Sequence, residues 1–122
     1  MKAGIATAVA LAGMVVFSQA MADGNELLEN CQASIRSMDH TSNSDPYGNG
    51  QCFGITEGVL NTMVALNPKL PKESRICLPD DGIKGGQAVR VVYKYLQDNP
   101  SLLHLEGTTL VSLAFRRAYP CE

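Results

Sequence analysis

The chain has 122 residues, with ten Lys plus Arg against twelve Asp plus Glu and a formal charge of −2. That balance argues against a nucleic-acid binder, which needs a basic face to neutralise phosphates. With no Trp and 6% aromatic residues, the core must come from Leu, Val, Ile and Met, and so small a core gains much from crosslinks.

Residues 1–22 read as a secretory signal peptide. Lys2 supplies a short positive start, Ile5 to Phe17 an apolar run, and Ala20-Met21-Ala22 an A-x-A cleavage site before Asp23. The run is shorter than the ~20 apolar residues of a membrane span, so export to the periplasm with cleavage is expected, with no membrane association afterwards. The expected mature chain, residues 23–122, is one domain. All four cysteines, Cys31, Cys52, Cys77 and Cys121, fall within it. An even count in an exported chain of this size predicts two disulfides. No C-x-x-C occurs, so neither a redox dithiol nor a zinc knuckle is indicated.

The first predicted helix covers residues 25–38, where Leu27, Cys31 and Ile35 repeat at i+4 with Leu28 and Met38 beside them. Asn25 or Asp23 can cap it, and Glu26 and Glu29 suit its positive end. Residues 39–49 are turn chemistry throughout and predict a solvent loop. A second helix is predicted over Gln51 to Leu66, with Cys52, Ile55, Val59, Met63 and Leu66 as its stripe. Gly54 and Gly58 share one of its faces. An interior helical Gly costs ~1 kcal/mol, so the pair predicts close approach of a neighbouring backbone there. Asn67-Pro68 ends the helix.

Residues 68–83 are predicted irregular, stiffened by Pro68, Pro71 and Pro79, with Lys69, Lys72, Arg75, Asp80 and Asp81 exposed. A third helix starts at 84–87 and stops at Asp98. Its polar residues Gln87, Arg90, Lys94, Gln97 and Asp98 form one narrow stripe, and the rest of its surface is apolar. It is therefore expected at the centre, covered by the other helices. Asn99 as N-cap and Pro100 at N1 predict a fourth helix at once, with Leu103, Gly107, Leu110, Ala114 and Ala118 on one stripe. Helices three and four then make an αα-hairpin. No strand alternation is found, and the fold class is all-α, a small disulfide-bonded bundle of about four helices.

Four cysteines allow three pairings. Cys31 and Cys52 flank one polar loop, and Cys77 and Cys121 lie at the two open ends of the hairpin, so Cys31–Cys52 and Cys77–Cys121 is the economical choice. Loop entropy puts them at roughly 3 and 4 kcal/mol.

No catalytic, metal or cofactor site is expected. The histidines are His40 and His104 alone, and oxidised cysteines are not nucleophiles. Asp80-Asp81 lacks the spaced oxygen ligands of a calcium loop. Gly82, Gly85 and Gly86 follow no strand and precede no Gly-Lys-Ser/Thr, so they make no phosphate loop. Binding is favoured over catalysis.

Ordered motifs then carry a resemblance. They are Cys52-Phe-Gly-Ile-Thr-Glu-Gly-Val59, Ile76-Cys-Leu-Pro79, Gln87, Val91-Val-Tyr-Lys-Tyr-Leu96, Asn99-Pro100, Leu103-His104 and Ala118-Tyr-Pro-Cys121. Over residues 27–121 they resemble the Rap/Tai family, periplasmic immunity proteins against type VI secretion amidase effectors. The resemblance implies a small helical, disulfide-bonded domain, commonly a homodimer, that plugs the active-site cleft of a papain-like cell-wall amidase. One departure stands out. The family usually has Thr or Ser three residues before the Gln matching Gln87, a capping box; Lys84 stands there, with Gly85 and Gly86 in the first turn. The alternative class is a periplasmic acid-stress chaperone of similar helical make-up.

An inhibitor of a cleft must present something narrow on a rigid scaffold, and loops do that. The expected partner-binding residues are Lys72, Arg75, Asp80 and Asp81 in the 68–84 segment, with Asp45 and Tyr47 in the 39–49 loop second.

Overall fold

The computed structural model describes residues 22–41 and 45–122. The expected signal peptide therefore lies, up to its last residue, outside the described part. Four helices make up the fold: α1 (Gly24–Met38), α2 (Pro46–Leu66), α3 (Gly85–Asp98) and α4 (Gly107–Ala118). No strand occurs among the described residues, only two isolated bridges, Asp23 with Glu106 and Ile76 with Pro120.

α1 starts where Asp23 accepts from the Glu26 N–H at 3.0 Å. Its core stripe, Leu27 and Cys31, is fully buried. It ends in a Schellman closure. Thr41 N–H donates to the Arg36 carbonyl and His40 N–H to that of Ser37, which puts His40 at φ 56°, a left-handed position that normally falls to Gly or Asn.

α2 begins at Pro46, not at Gln51. Residues 45–49 were expected in the loop because Asp, Pro and Gly are turn formers. Here Asp45 is an N-cap whose Oδ1 accepts the Gly48 N–H at 2.8 Å, and Pro46 occupies the first helical position, where its fixed φ and missing N–H cost nothing. Two cues with one composition were in competition, and the helix start won. Side by side, α1 and α2 run antiparallel, tied by the Ser34 hydroxyl donating to the Asn49 carbonyl and by Cys31–Cys52, with Cα atoms 5.0 Å apart.

Close backbone approach occurs, but at other glycines than expected. A Cβ on Gly54 or Gly58 would meet nothing within 4 Å, and both lie on the exposed side of α2. The crowded positions are Gly24, against the Leu103 backbone, and Gly107, against the Ala22 carbonyl. There the segment 103–106 crosses the start of α1, with Gly24 N–H donating to Leu105 O, Asn25 N–H to Leu103 O and Gly107 N–H to Ala22 O. These bonds also explain why α4 starts at Gly107 rather than just after Pro100. Pro100–Leu102 is a single 3₁₀ turn, and the Asn99 side-chain amide donates back to Tyr95 O at 2.8 Å, closing α3 instead of opening α4. Leu103 is buried, yet it precedes the helix, and Ala118 is exposed.

α3 packs on all three other helices through Ala88, Val89, Val92 and Leu96, each fully buried. Its exposed stripe is wider than expected, because Val91, Tyr93 and Tyr95 are only half-buried. The departure at Lys84 is visible as an α3 N-terminus without a side-chain cap bond. α3 and α4 form the expected hairpin. The start of α3 faces the end of α4, where Gln87 Nε2 donates to Tyr119 Oη at 3.3 Å. The Cys77–Cys121 disulfide, Cα atoms 5.1 Å apart, fixes that end, and Cys77 N–H donates to Tyr119 O at 2.8 Å. Both disulfides are the expected pairs.

Candidate partner-binding surface

The segment between α2 and α3 is far from irregular. Asn67 reaches across it, its Nδ2 donating to Ile76 O at 2.7 Å and its Oδ1 accepting Ile76 N–H at 3.0 Å. Ile76 is 2% exposed, so Asn67 satisfies both backbone groups of a core residue that no helix serves. Arg75 points into the same segment. Its Nε donates to Leu70 O at 2.7 Å and its Nη2 to Pro68 O at 3.4 Å. Arg116 of α4 donates to Glu73 O at 2.9 Å, which seats the 3₁₀ turn Lys72–Ser74 against the hairpin. Asn67 was read from sequence as a helix stop. Its clamp was illegible there because the partner lies nine residues on.

Further along, Pro79 to Gly82 forms a turn closed by Gly82 N–H to Pro79 O at 2.8 Å. Gly82 has φ 71°, a conformation Gly adopts without strain. The turn holds Asp80 and Asp81 out into solvent. Leu78 and Ile83 on either side pack on the core, so the acidic tip is anchored at both ends.

Contacts join the first turns of α3 to the end of α1. A Cβ on Gly86 would touch Met38 Sδ, and Arg90 pairs with Asp39 at 2.6 Å. The end of α1, the turn before α3 and the end of α4 thus share one end of the bundle. Among the expected binding residues, Asp45, Tyr47, Lys72, Asp80 and Asp81 are exposed and Arg75 is half-buried. Tyr47 is 70% exposed, the most of any large apolar residue described, and its Oη accepts from Gln51 Nε2 at 2.7 Å. Arg75 and Asp45 hold the scaffold, one bracing the segment and the other capping α2.

Two shallow grooves complete the surface. The outer side of α2 lines one of about 670 Å³ with Tyr47, Gly54, Ile55, Gly58 and Val59. The other, about 530 Å³, lies between α3 and α4 and is rimmed by Arg90, Lys94 and Arg117. The second was not anticipated. Its only sequence signal is the i+4 spacing of Arg90 and Lys94, which any solvated face would show.

His40 and His104 are exposed on separate loops, all four cysteines are oxidised, and no group of three or more His, Cys, Asp or Glu among the described residues could hold a metal ion. No described helix is long and apolar enough to cross a membrane. The chain is similar, over residues 23–121, to the family model described as Rap1a immunity proteins. No curated protein and no solved structure matches it.

Proposed function

The chain belongs to the Rap1a immunity protein family, and from that premise we propose that it is exported to the periplasm, where it neutralises one type VI peptidoglycan amidase effector by occluding the active-site cleft. The observation that carries this is the reach of the family match, residues 23–121, which takes in both disulfides and the whole segment between α2 and α3.

The inhibitory element is the end of the bundle that carries the acidic turn Pro79–Gly82. A cleft inhibitor gains most when its protruding element is already ordered, because little conformational entropy is then lost on binding. Asn67, Arg75 and the Cys77–Cys121 crosslink supply that order. Asp80, Asp81 and Lys72 are exposed charges of the kind that steer encounter and set specificity. The Asp–Lys mixture suits a partner that presents both signs around its cleft.

The protein acts as a homodimer in this reading, with the outer side of α2 at the seam. α2 has one charged residue, Glu57, in its whole length, and it leaves Tyr47, Val64 and Leu66 exposed at 70%, 46% and 45%. A soluble helix that apolar on its outer side is normally covered.

The test is co-expression, in the periplasm of a susceptible bacterium, with the small Cys–His amidase that this reading expects in the adjacent reading frame. The chain rescues growth, while a variant carrying Lys72→Ala, Asp80→Ala and Asp81→Ala, with unchanged helical circular dichroism, binds the amidase at least about tenfold more weakly. Failure of the wild-type chain to protect against that amidase refutes the function. Full protection and affinity in the triple variant moves the interface off this loop.

A further inference from the structure

We propose that the groove between α3 and α4 is a docking site for an acidic peptide segment of a protein partner, one whose carboxylates are flanked by apolar side chains. The inference is independent of the immunity reading, since the groove's own chemistry carries it.

Charge is the first observation. The chain as a whole is at −2, yet this one groove gathers Arg90, Lys94 and Arg117, three of its ten Lys and Arg, with Asp98 as the sole acid in its lining. The sign of the groove is opposite to that of the molecule. Arg117 has no ion-pair partner among the described residues, whereas Arg90 pairs with Asp39 at 2.6 Å and Lys94 with Asp98 at 3.0 Å. These two pairs are largely solvated, with side chains 46–78% exposed. Exposed pairs contribute at most ~1 kcal/mol, so an incoming carboxylate exchanges with them at little cost. Three cations are therefore open to a ligand acid.

Shape is the second. The walls are two antiparallel helices, and the lining includes Val91, Tyr95, Ala114 and Ala118. Val91 and Tyr95 are half-buried, which leaves apolar surface for a partner to cover. Ala114 and Ala118, one turn apart on α4, are short enough to leave room for a Leu or Phe between the helices. At about 530 Å³ the space takes a few side chains. Gln87, also in the lining, donates to Tyr119 Oη at 3.3 Å and offers a bound segment a polar contact.

A free anion does not satisfy this lining, because half of it is apolar. A phosphodiester backbone would bring a run of charges past Asp98 with only three cations to meet it. An acidic segment with alternating apolar residues uses both halves of the groove: carboxylates meet the rim and apolar side chains the floor.

The test uses the purified chain and the probe acetyl-Phe-Glu-Leu-Glu-amide, followed by amide chemical-shift titration. Saturable shifts confined to Val91, Tyr95, Ala114, Ala118 and their neighbours are expected. The same peptide with Gln for Glu should bind at least tenfold more weakly, as should the original peptide to the double variant Lys94→Glu, Arg117→Glu. Both positions are exposed, and the variant should keep its circular dichroism spectrum and thermal midpoint. The proposal is overturned by the absence of saturable shifts at millimolar peptide, by equal binding of the Gln peptide or of the charge-reversed variant, or by equally effective displacement with inorganic phosphate, which would reduce the groove to a simple anion site.

Discussion

Removing the side chain of Asn67 should loosen the binding loop and the core together. In Asn67→Ala, Ile76 loses the acceptor for its N–H and the donor to its carbonyl, bonds of 3.0 and 2.7 Å. A buried backbone group left unpaired costs roughly 1–3 kcal/mol. Two such groups on a residue 2% exposed set a ceiling near 6 kcal/mol from the same range. Asn67 itself is half-buried, however, so the space it vacates admits water, and water restores part of each bond. The expected loss is therefore about 2–3 kcal/mol, a large fraction of the 5–15 kcal/mol that holds a domain together. With a urea m-value of about 1–2 kcal/mol/M, the midpoint should fall by between 1 and 3 M, to be read by circular dichroism with the disulfides intact. Asn67→Asp keeps the acceptor and should lose about half as much. Amide exchange should quicken selectively over 68–77. A midpoint shift equivalent to less than ~0.5 kcal/mol, the scale of an ordinary surface substitution, would refute the assignment of Asn67 as the clamp.

The two disulfides should separate under mild reduction. Cys77 is exposed while Cys31 and Cys52 are at 0%, so timed alkylation and mass mapping should find Cys77 and Cys121 free first, with stability then lower by about 4 kcal/mol for that longer loop. His40→Gly should stabilise by about 1 kcal/mol, because a left-handed residue with a Cβ is strained there; an unchanged thermal midpoint would count against it. Sedimentation at micromolar concentration should give the dimer mass, and Gly58→Asp, at an exposed position of α2 where an added Cβ meets nothing within 4 Å, should give the monomer; a monomeric wild type would remove the dimer.

Much of this architecture was legible in the residues themselves. Apolar repeats located α1 and α3 to within a residue, and the cysteine pairs followed from their place at element ends. The misplaced helix starts involve residues whose bonds go to a distant part of the chain or whose type serves two ends. Asp45-Pro46 starts a helix as readily as it makes a turn, and only the neighbouring α1 decides. Asn99-Pro100 has the letters of a helix start, but Leu103 and Leu105 are held by α1, which defers α4 to Gly107. Gly54 and Gly58 share one face, as their spacing requires, but no backbone approaches either of them, and the close contacts fall at Gly24 and Gly107 instead. At the binding surface, sequence marked which residues are charged. It did not distinguish Arg75, turned inward to two carbonyls, from Lys72, free three residues away.

The crosslinks are sequential rather than interleaved: 31 with 52, then 77 with 121. Each therefore closes its own covalent ring, and a single stretch of main chain, residues 53–76, bridges the two. A protease that nicks the chain inside either ring releases nothing, since both pieces stay attached through sulfur. A cut that divides the molecule in one stroke between the rings must fall in the bridge. Most of that bridge is helix, which proteases handle poorly because they need an extended substrate. The remainder is the short passage 67–76, folded on itself by Asn67 and Arg75. The bonds that stiffen the presented loop also shield the single interval in which one cleavage would split the protein between its rings.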